Sequence, residues 1–379
     1  MSWLTAEQAL GLLGTKPQTL YANVSRGRIR AKADPSDTRR SLYFDEDVRR
    51  LATRHAGRRK SEAVAADAIE WGDPVLPSAL STVSNGRLFY RGRDVARLSE
   101  RATLEEIAAL LWDMRNPPVL PILRRDADRA PSLEAAFMAL AHRVTTDLPS
   151  LGRSFLALKR EAEGVLATVA DALAPGASET PLHERLAAGW GRPAAGDVLR
   201  RALVLFADHE LNASTFTARI TASAGATLSA AVLSGLSTLT GPLHGGAWRG
   251  VSLLVDTTHK FGARETVRRY LGQGHSLPAF GHPLYPDGDV RADALLPHLA
   301  LPAIFEEIRQ TGEEMIGERA NADFALSALA AAHDLPEDAP IIIFALARTV
   351  GWLAHAMEQA SSGRLIRPRA RYVGIPLET

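Results

Sequence analysis

Residues 341–353 read IIIFALARTVGWL, an apolar run interrupted by Arg348 and Thr349. No polar stripe divides it, so it predicts a helix surrounded by protein on every side, with Arg348 at its centre. A guanidinium in such a place needs an anion beside it, either a structural Asp or Glu or the carboxylate of a ligand. The rest of the chain from about Val75 follows the same pattern. Long helix-spaced apolar runs alternate with Gly and Pro turns, few alternating β-branched runs occur, and the body is predicted to be mainly α. Ile220–Leu243 holds 24 residues without a charge, long enough to span a membrane. Eight of them are Ser or Thr and many others Ala or Gly, so the run reads as a helix packed closely against protein, at a subunit contact of an oligomer, and no membrane is implied.

At 379 residues the chain is long enough for two or three folded units. Its 46% hydrophobic and 23% charged residues are those of an ordinary globular enzyme. Cysteine is absent, which removes disulfides, thiolate nucleophiles, Cys-ligated zinc and iron–sulfur clusters. Together with an N-terminus, MSWLTAEQ, lacking the basic and apolar regions of a signal peptide, this predicts a cytoplasmic protein.

The net charge is +1, but residues 1–60 hold 13 Lys and Arg against 6 Asp and Glu. This basic segment reads as a module of its own. Thr5 and Glu7 open an apolar run at Ala9, Leu10, Leu12 and Leu13 that stops at Gly14; Thr15 and Pro17 open a second through Leu20, Tyr21 and Val24 to Gly27. Strand-like basic stretches follow at Arg28–Lys32 and Arg39–Tyr43, with a Pro-Ser-Asp turn between them and a helix start at Asp45–Val48. TLYANVSRGRIR and RRSLYFDEDVRRL resemble a winged helix-turn-helix of the excisionase or MerR type, which implies DNA as a partner of residues 1–55 through phosphate contacts. The alternative is a docking or oligomerisation module whose arginines are solvated. A charged, alanine-rich linker at 56–74 leads to the body.

Four places in the body put ionisable groups where folding alone gives them little reason to be. His209 and Glu210 lie in ADHELNAS, where Asn212 or Ser214 also suits a helix cap. His244 lies in GPLHGGA, between glycines that allow close backbone approach. His282 lies in the Pro- and Gly-rich loop LPAFGHPLYPDGDVRADAL, nine residues before Arg291, a pair suited to an anionic oxygen-rich ligand or to an ordinary surface loop. Asn321 and Asp323 precede the apolar run FALSALAAA, where Asp323 suits an N-cap, and Arg364, Arg367, Arg369 and Arg371 crowd GRLIRPRARY. The histidines are too scattered for a metal motif, and neither a Gly-rich phosphate loop nor a Gly-x-Ser-x-Gly elbow is present.

Taken in order and spacing, ADHELNASTFTAR, GPLHGGA, GHPLY with its later Arg, NADF and ARTVGWLAHAMEQ followed by RLIRPRARY resemble the citrate synthase family from about Val75 to Thr379. The resemblance implies a mostly helical homodimer, with a large domain at 75–250 and 341–379 and a small one at 251–340 that closes over the substrates. It implies condensation of acetyl-CoA with oxaloacetate and no permanently bound cofactor or metal. His244 would hydrogen-bond the thioester carbonyl, Asp323 would take the methyl proton, and His282 would donate to the keto oxygen. His209, Arg291 and Arg348 would hold the oxaloacetate carboxylates, with Arg367 reaching in from the neighbouring subunit. Trp248, Ala279, Pro283, Pro286 and Val290 depart from the family pattern, which bears on CoA recognition and keeps open a 2-methylcitrate synthase using propionyl-CoA. A third reading is a DNA-binding regulator whose body senses oxaloacetate, citrate or CoA.

Overall fold

The computed structural model describes residues 3–13, 17–25, 29–34, 37–45, 47–48, 76–120, 130–177, 179–370 and 372–375. The chain divides into two compact units, Met1–Pro77 and Ser78–Thr379.

The first unit runs β1 (Trp3–Leu4), α1 (Ala6–Leu13), α2 (Pro17–Ser25), β2 (Ala31–Asp34) and β3 (Asp37–Phe44). Helix α1 starts at Ala6 because Thr5 and Gln8 cap each other: the Gln8 amide donates to Thr5 Oγ1 and the Thr5 amide to Gln8 Oε1. β3 pairs antiparallel with both β1 and β2. Ala9, Leu13, Leu20, Ile29, Tyr43 and Val48 form a small core. Part of the positive charge is spoken for: Arg30 forks onto Asp47 and lies 3.9 Å over the Phe44 ring, and Lys32 lies 4.4 Å over Trp3. The linker expected at 56–74 lies outside the described residues.

The second unit opens with a small antiparallel sheet, β4 (Ser81–Ser84), β5 (Arg87–Tyr90) and β6 (Arg93–Asp94). Helices follow as α3 (Val95–Leu98), α4 (Leu104–Leu111), α5 (Leu133–Thr146), α6 (Phe155–Leu173), α7 (Leu182–Gly189), α8 (Gly196–Phe206), α9 (Ala213–Ser223) and α10 (Leu228–Leu239). The remainder are α11 (Trp248–Phe261), α12 (Ala263–Gly272), α13 (Val290–Leu295), α14 (Ala303–Ile316), α15 (Ala322–Ala332) and α16 (Ala339–Ser362). The mainly α expectation is met. One expectation is corrected: Ile220–Leu243 is not one helix. Gly225, at φ +79°, turns the chain back, Thr227 caps α10, and α9 and α10 pack side by side.

α16 is the axis of this unit, packed by α4, α6, α8, α9, α10 and α15. Among the described residues it is the one helix long and apolar enough to cross a membrane, and its apolar window is wholly buried in protein. Two apolar cores form. The larger gathers α16 with α4 to α10; the smaller joins Val251 and Leu254 of α11, Val267 of α12, Phe305 and Ile308 of α14, and Phe324 and Ala328 of α15. α15 serves both, since Ala322, Ala325, Leu326 and Leu329 face the larger core. Groups at the start of α15 therefore stand at the seam between the cores.

Candidate active site

Six of the seven candidate residues converge on this seam. Phe206, at the end of α8, ties several of them together: Arg348 Nε donates to its carbonyl at 2.9 Å, its ring meets Phe344 edge-on at 5.3 Å, and Arg291 lies 5.5 Å over it. Arg348 is 1% exposed, and its Nη1 and Nη2 are buried without a hydrogen-bond partner among the described residues. Burial pulls its pKa down to about 10 despite the pull of Asp208. A guanidinium stripped of water with both terminal nitrogens unsatisfied is costly unless an anion arrives.

Arg291, on α13, is buried rather than part of an exposed surface loop. Asp289, the N-cap of α13, takes its Nε at 2.9 Å and its Nη2 at 2.7 Å, so a structural carboxylate already pairs it. Burial is the largest influence and opposes the charge, but Asp289, by charge and hydrogen bond, together with Tyr285 and Asp323, holds Arg291 above the ordinary range. Nη1 makes no hydrogen bond among the described residues.

The three histidines are neutral. His209 lies well below the usual imidazole range through burial, with Arg291 and Arg348 adding to it. His244 and His282 are lowered to about 4, by burial and then by the same cations, Arg348 and Arg291 for His244 and Arg291 for His282. At neutral pH each therefore offers one N–H and one lone pair. The Leu284 amide donates to His282 Nδ1 at 3.2 Å, which places that ring's proton on Nε2. His244 Nε2 meets Ser214 Oγ at 2.8 Å; that buried hydroxyl also bonds Asn212 Oδ1 and accepts from Trp352 Nε1, so the ring is held from behind. His209 and His282 stand edge to face, centroids 5.4 Å apart.

Asp323 is the second residue of α15, and Asn321 rather than Asp323 caps that helix. Its carboxylate accepts no hydrogen bond among the described residues. Burial raises its pKa to about 6, with Asp289 adding to the rise and Arg291 and Arg348 opposing it. A carboxylate poised near neutrality has the chemistry a general base needs.

The loop carrying His282 is strapped to the segment carrying Asp323. The Gly281 amide donates to the Arg319 carbonyl, the Asn321 amide to the Ala279 carbonyl, and Asn321 Nδ2 to the Gly281 carbonyl, all within 3.0 Å. Ala279 adopts φ +62°, a conformation that suits glycine. The seventh candidate, Arg367, is exposed in the C-terminal tail and is not brought to this cluster. Tyr285, which the sequence reading passed over, is in the cluster: it is 1% exposed, its hydroxyl lies 2.8 Å from His209 Nε2, and its ring is 5.0 Å from that of His282.

The fold and site define an α-helical enzyme with a cluster of buried imidazole, carboxylate and guanidinium groups between two apolar cores. Residues 70–369 match the family model described as citrate synthase, C-terminal domain, and the chain belongs to the citrate synthase family, an acyltransferase family. It is 32% identical to citrate synthase of Haloferax volcanii over 79% of this chain and 93% of that protein. It is 30% identical to citrate synthase 2 of Bacillus subtilis over 78% of this chain and 93% of that protein, and 29% identical to 2-methylcitrate synthase of Shewanella oneidensis over 80% and 94%. Among solved structures, citrate synthase from Thermotoga maritima superposes with a TM-score of 0.66 at 25% identity, covering 81% of this chain and 95% of that one.

Proposed function

We propose that the second unit condenses an acyl-CoA with oxaloacetate, acetyl-CoA giving citrate and CoA, in the cytoplasm and without a resident cofactor or metal. One observation carries this reading: the two buried guanidinium nitrogens of Arg348, without a hydrogen-bond partner among the described residues, set beside Arg291 and three neutral imidazoles. That is a receptor for a compact dianion bearing a keto oxygen.

Asp323 takes a proton from the carbon next to the thioester carbonyl while His244, with the Ser214 hydroxyl proton turned from Asn212 Oδ1 onto its Nε2, stabilises through its Nδ1–H the oxygen on which charge develops. The resulting enol carbon bonds to the keto carbon of oxaloacetate. His282, its proton on Nε2, donates to the keto oxygen as it becomes an alkoxide. Water then cleaves the thioester and releases CoA. Arg291, Arg348 and His209 hold the oxaloacetate carboxylates, and Arg367, exposed on its own chain, serves the site of a second copy in a homodimer. Closure of the 251–340 segment over the remainder excludes water during condensation. The test is oxaloacetate-dependent CoA release, abolished in Asp323→Ala; wild-type rates in that variant refute the reading.

The departure at Trp248, buried four residues after His244, and the similarity to a 2-methylcitrate synthase favour a second acyl substrate, propionyl-CoA. A panel of acyl-CoAs with oxaloacetate held constant separates the two. For the first unit, the order of two helices then a β-hairpin, with its basic charge, supports a winged helix-turn-helix that binds DNA. Salt-dependent binding to duplex DNA tests it, and modulation of that binding by oxaloacetate without turnover marks the body as a sensor instead.

A further inference from the structure

We propose that Tyr285 is a positioning residue: by donating its hydroxyl proton to Nε2 of His209, it fixes that imidazole as the Nδ1–H tautomer and aims the proton at the oxaloacetate carboxylate. The inference rests on the oxaloacetate reading above for its ligand, but not for its geometry. The Tyr285 hydroxyl lies 2.8 Å from His209 Nε2 and has no other hydrogen-bond partner among the described residues. A buried phenol proton must go somewhere, and the one acceptor within reach is a ring nitrogen. Burial pushes the Tyr285 phenol well above its usual range, so it keeps its proton, while His209 is neutral. One proton between the two facing atoms then belongs to the tyrosine, and the imidazole carries its own on Nδ1, which has no partner among the described residues.

The ring of Tyr285 fixes the direction of this bond. It sits 5.6 Å from the His209 ring and 5.0 Å from the His282 ring, and Arg291 lies 5.6 Å over it. The 282–285 turn is closed by the Tyr285 amide donating to the His282 carbonyl at 2.8 Å. One short loop thus sets both histidines: a backbone amide puts the His282 proton on Nε2, and a phenol puts the His209 proton on Nδ1. Without the phenol, His209 is free to exchange tautomers and to present a lone pair to a carboxylate.

The experiment uses the full chain with 15N-labelled histidine, His209 being assigned by its loss in His209→Gln. In ligand-free wild-type protein the His209 nitrogens should report a proton on Nδ1; a proton on Nε2 overturns the proposal, whatever the activity. In Tyr285→Phe, which keeps the ring, the His209 signals should move to mixed tautomers, and the KM for oxaloacetate should rise about tenfold while kcat changes less than threefold. Unchanged His209 nitrogen shifts in that variant also overturn it. Absence of oxaloacetate-dependent CoA release from the wild type would refute the proposed function and leave the tautomer measurement standing.

Discussion

Replacing Arg348 by Met should stabilise the substrate-free protein and abolish its response to oxaloacetate. A guanidinium whose pKa burial has lowered to about 10, well below the ordinary arginine range, has its charged form disfavoured by about 3 kcal/mol at any pH below 10. Methionine removes that penalty. It also removes the bond from Nε to the Phe206 carbonyl, which costs about 1 kcal/mol. The balance is about 2 kcal/mol in favour of the variant, a rise in Tm of roughly 3–6 °C for a unit of this size. Thermal unfolding of both proteins with and without oxaloacetate is the assay. At about a hundred times its dissociation constant, oxaloacetate should add about 2.7 kcal/mol to the wild type and nothing to Arg348→Met. A variant that is less stable than wild type, or that still gains stability from oxaloacetate, would show that Arg348 is satisfied by the protein itself.

Asp323 must be ionised to accept a proton and its pKa is raised to about 6, so kcat/KM should fall about tenfold per pH unit as pH drops below 6; a profile flat from pH 5 to 8 contradicts its role as base. Ala279→Gly relieves a left-handed backbone and should raise stability by about 0.5–1 kcal/mol in chemical denaturation. Gly351→Ala should destabilise by about 2–3 kcal/mol in the same assay, because a methyl group there strikes the Ala207 carbonyl oxygen and Oδ1 of Asp208. Removal of residues 1–77, at the boundary between the two units, should leave CoA release unchanged and eliminate salt-dependent DNA binding.

The helical body was legible because α16 has no polar face, and a guanidinium in its middle could only mean an anion. Sequence alone could not say which anion. Arg291 pairs with Asp289, two residues away, whereas Arg348 bonds only the Phe206 carbonyl among the described residues and has no carboxylate within bonding reach there. Tyr285 was missed because a tyrosine between prolines reads as a turn with an apolar plug, and its hydroxyl partner lies 76 residues away. The α9–α10 turn was missed because Gly225 sits among Ala and Ser that continue a helical pattern, and only its positive φ marks the reversal. Strand β1 spans two residues, too few for any period to show.

The strap between residues 279–281 and 319–321 has a further consequence. His282 and Asp323 ride on one clamped piece of backbone, whereas Arg348 belongs to α16 in the other core. Any swing of one core against the other would carry His282 and Asp323 as a pair, with Arg291 tied to them through the bond from the Ala322 amide to Asp289, and leave Arg348 behind on α16. Under the proposed condensation, such a movement would part Arg348 from its anion and keep His282 and Asp323 in register with each other.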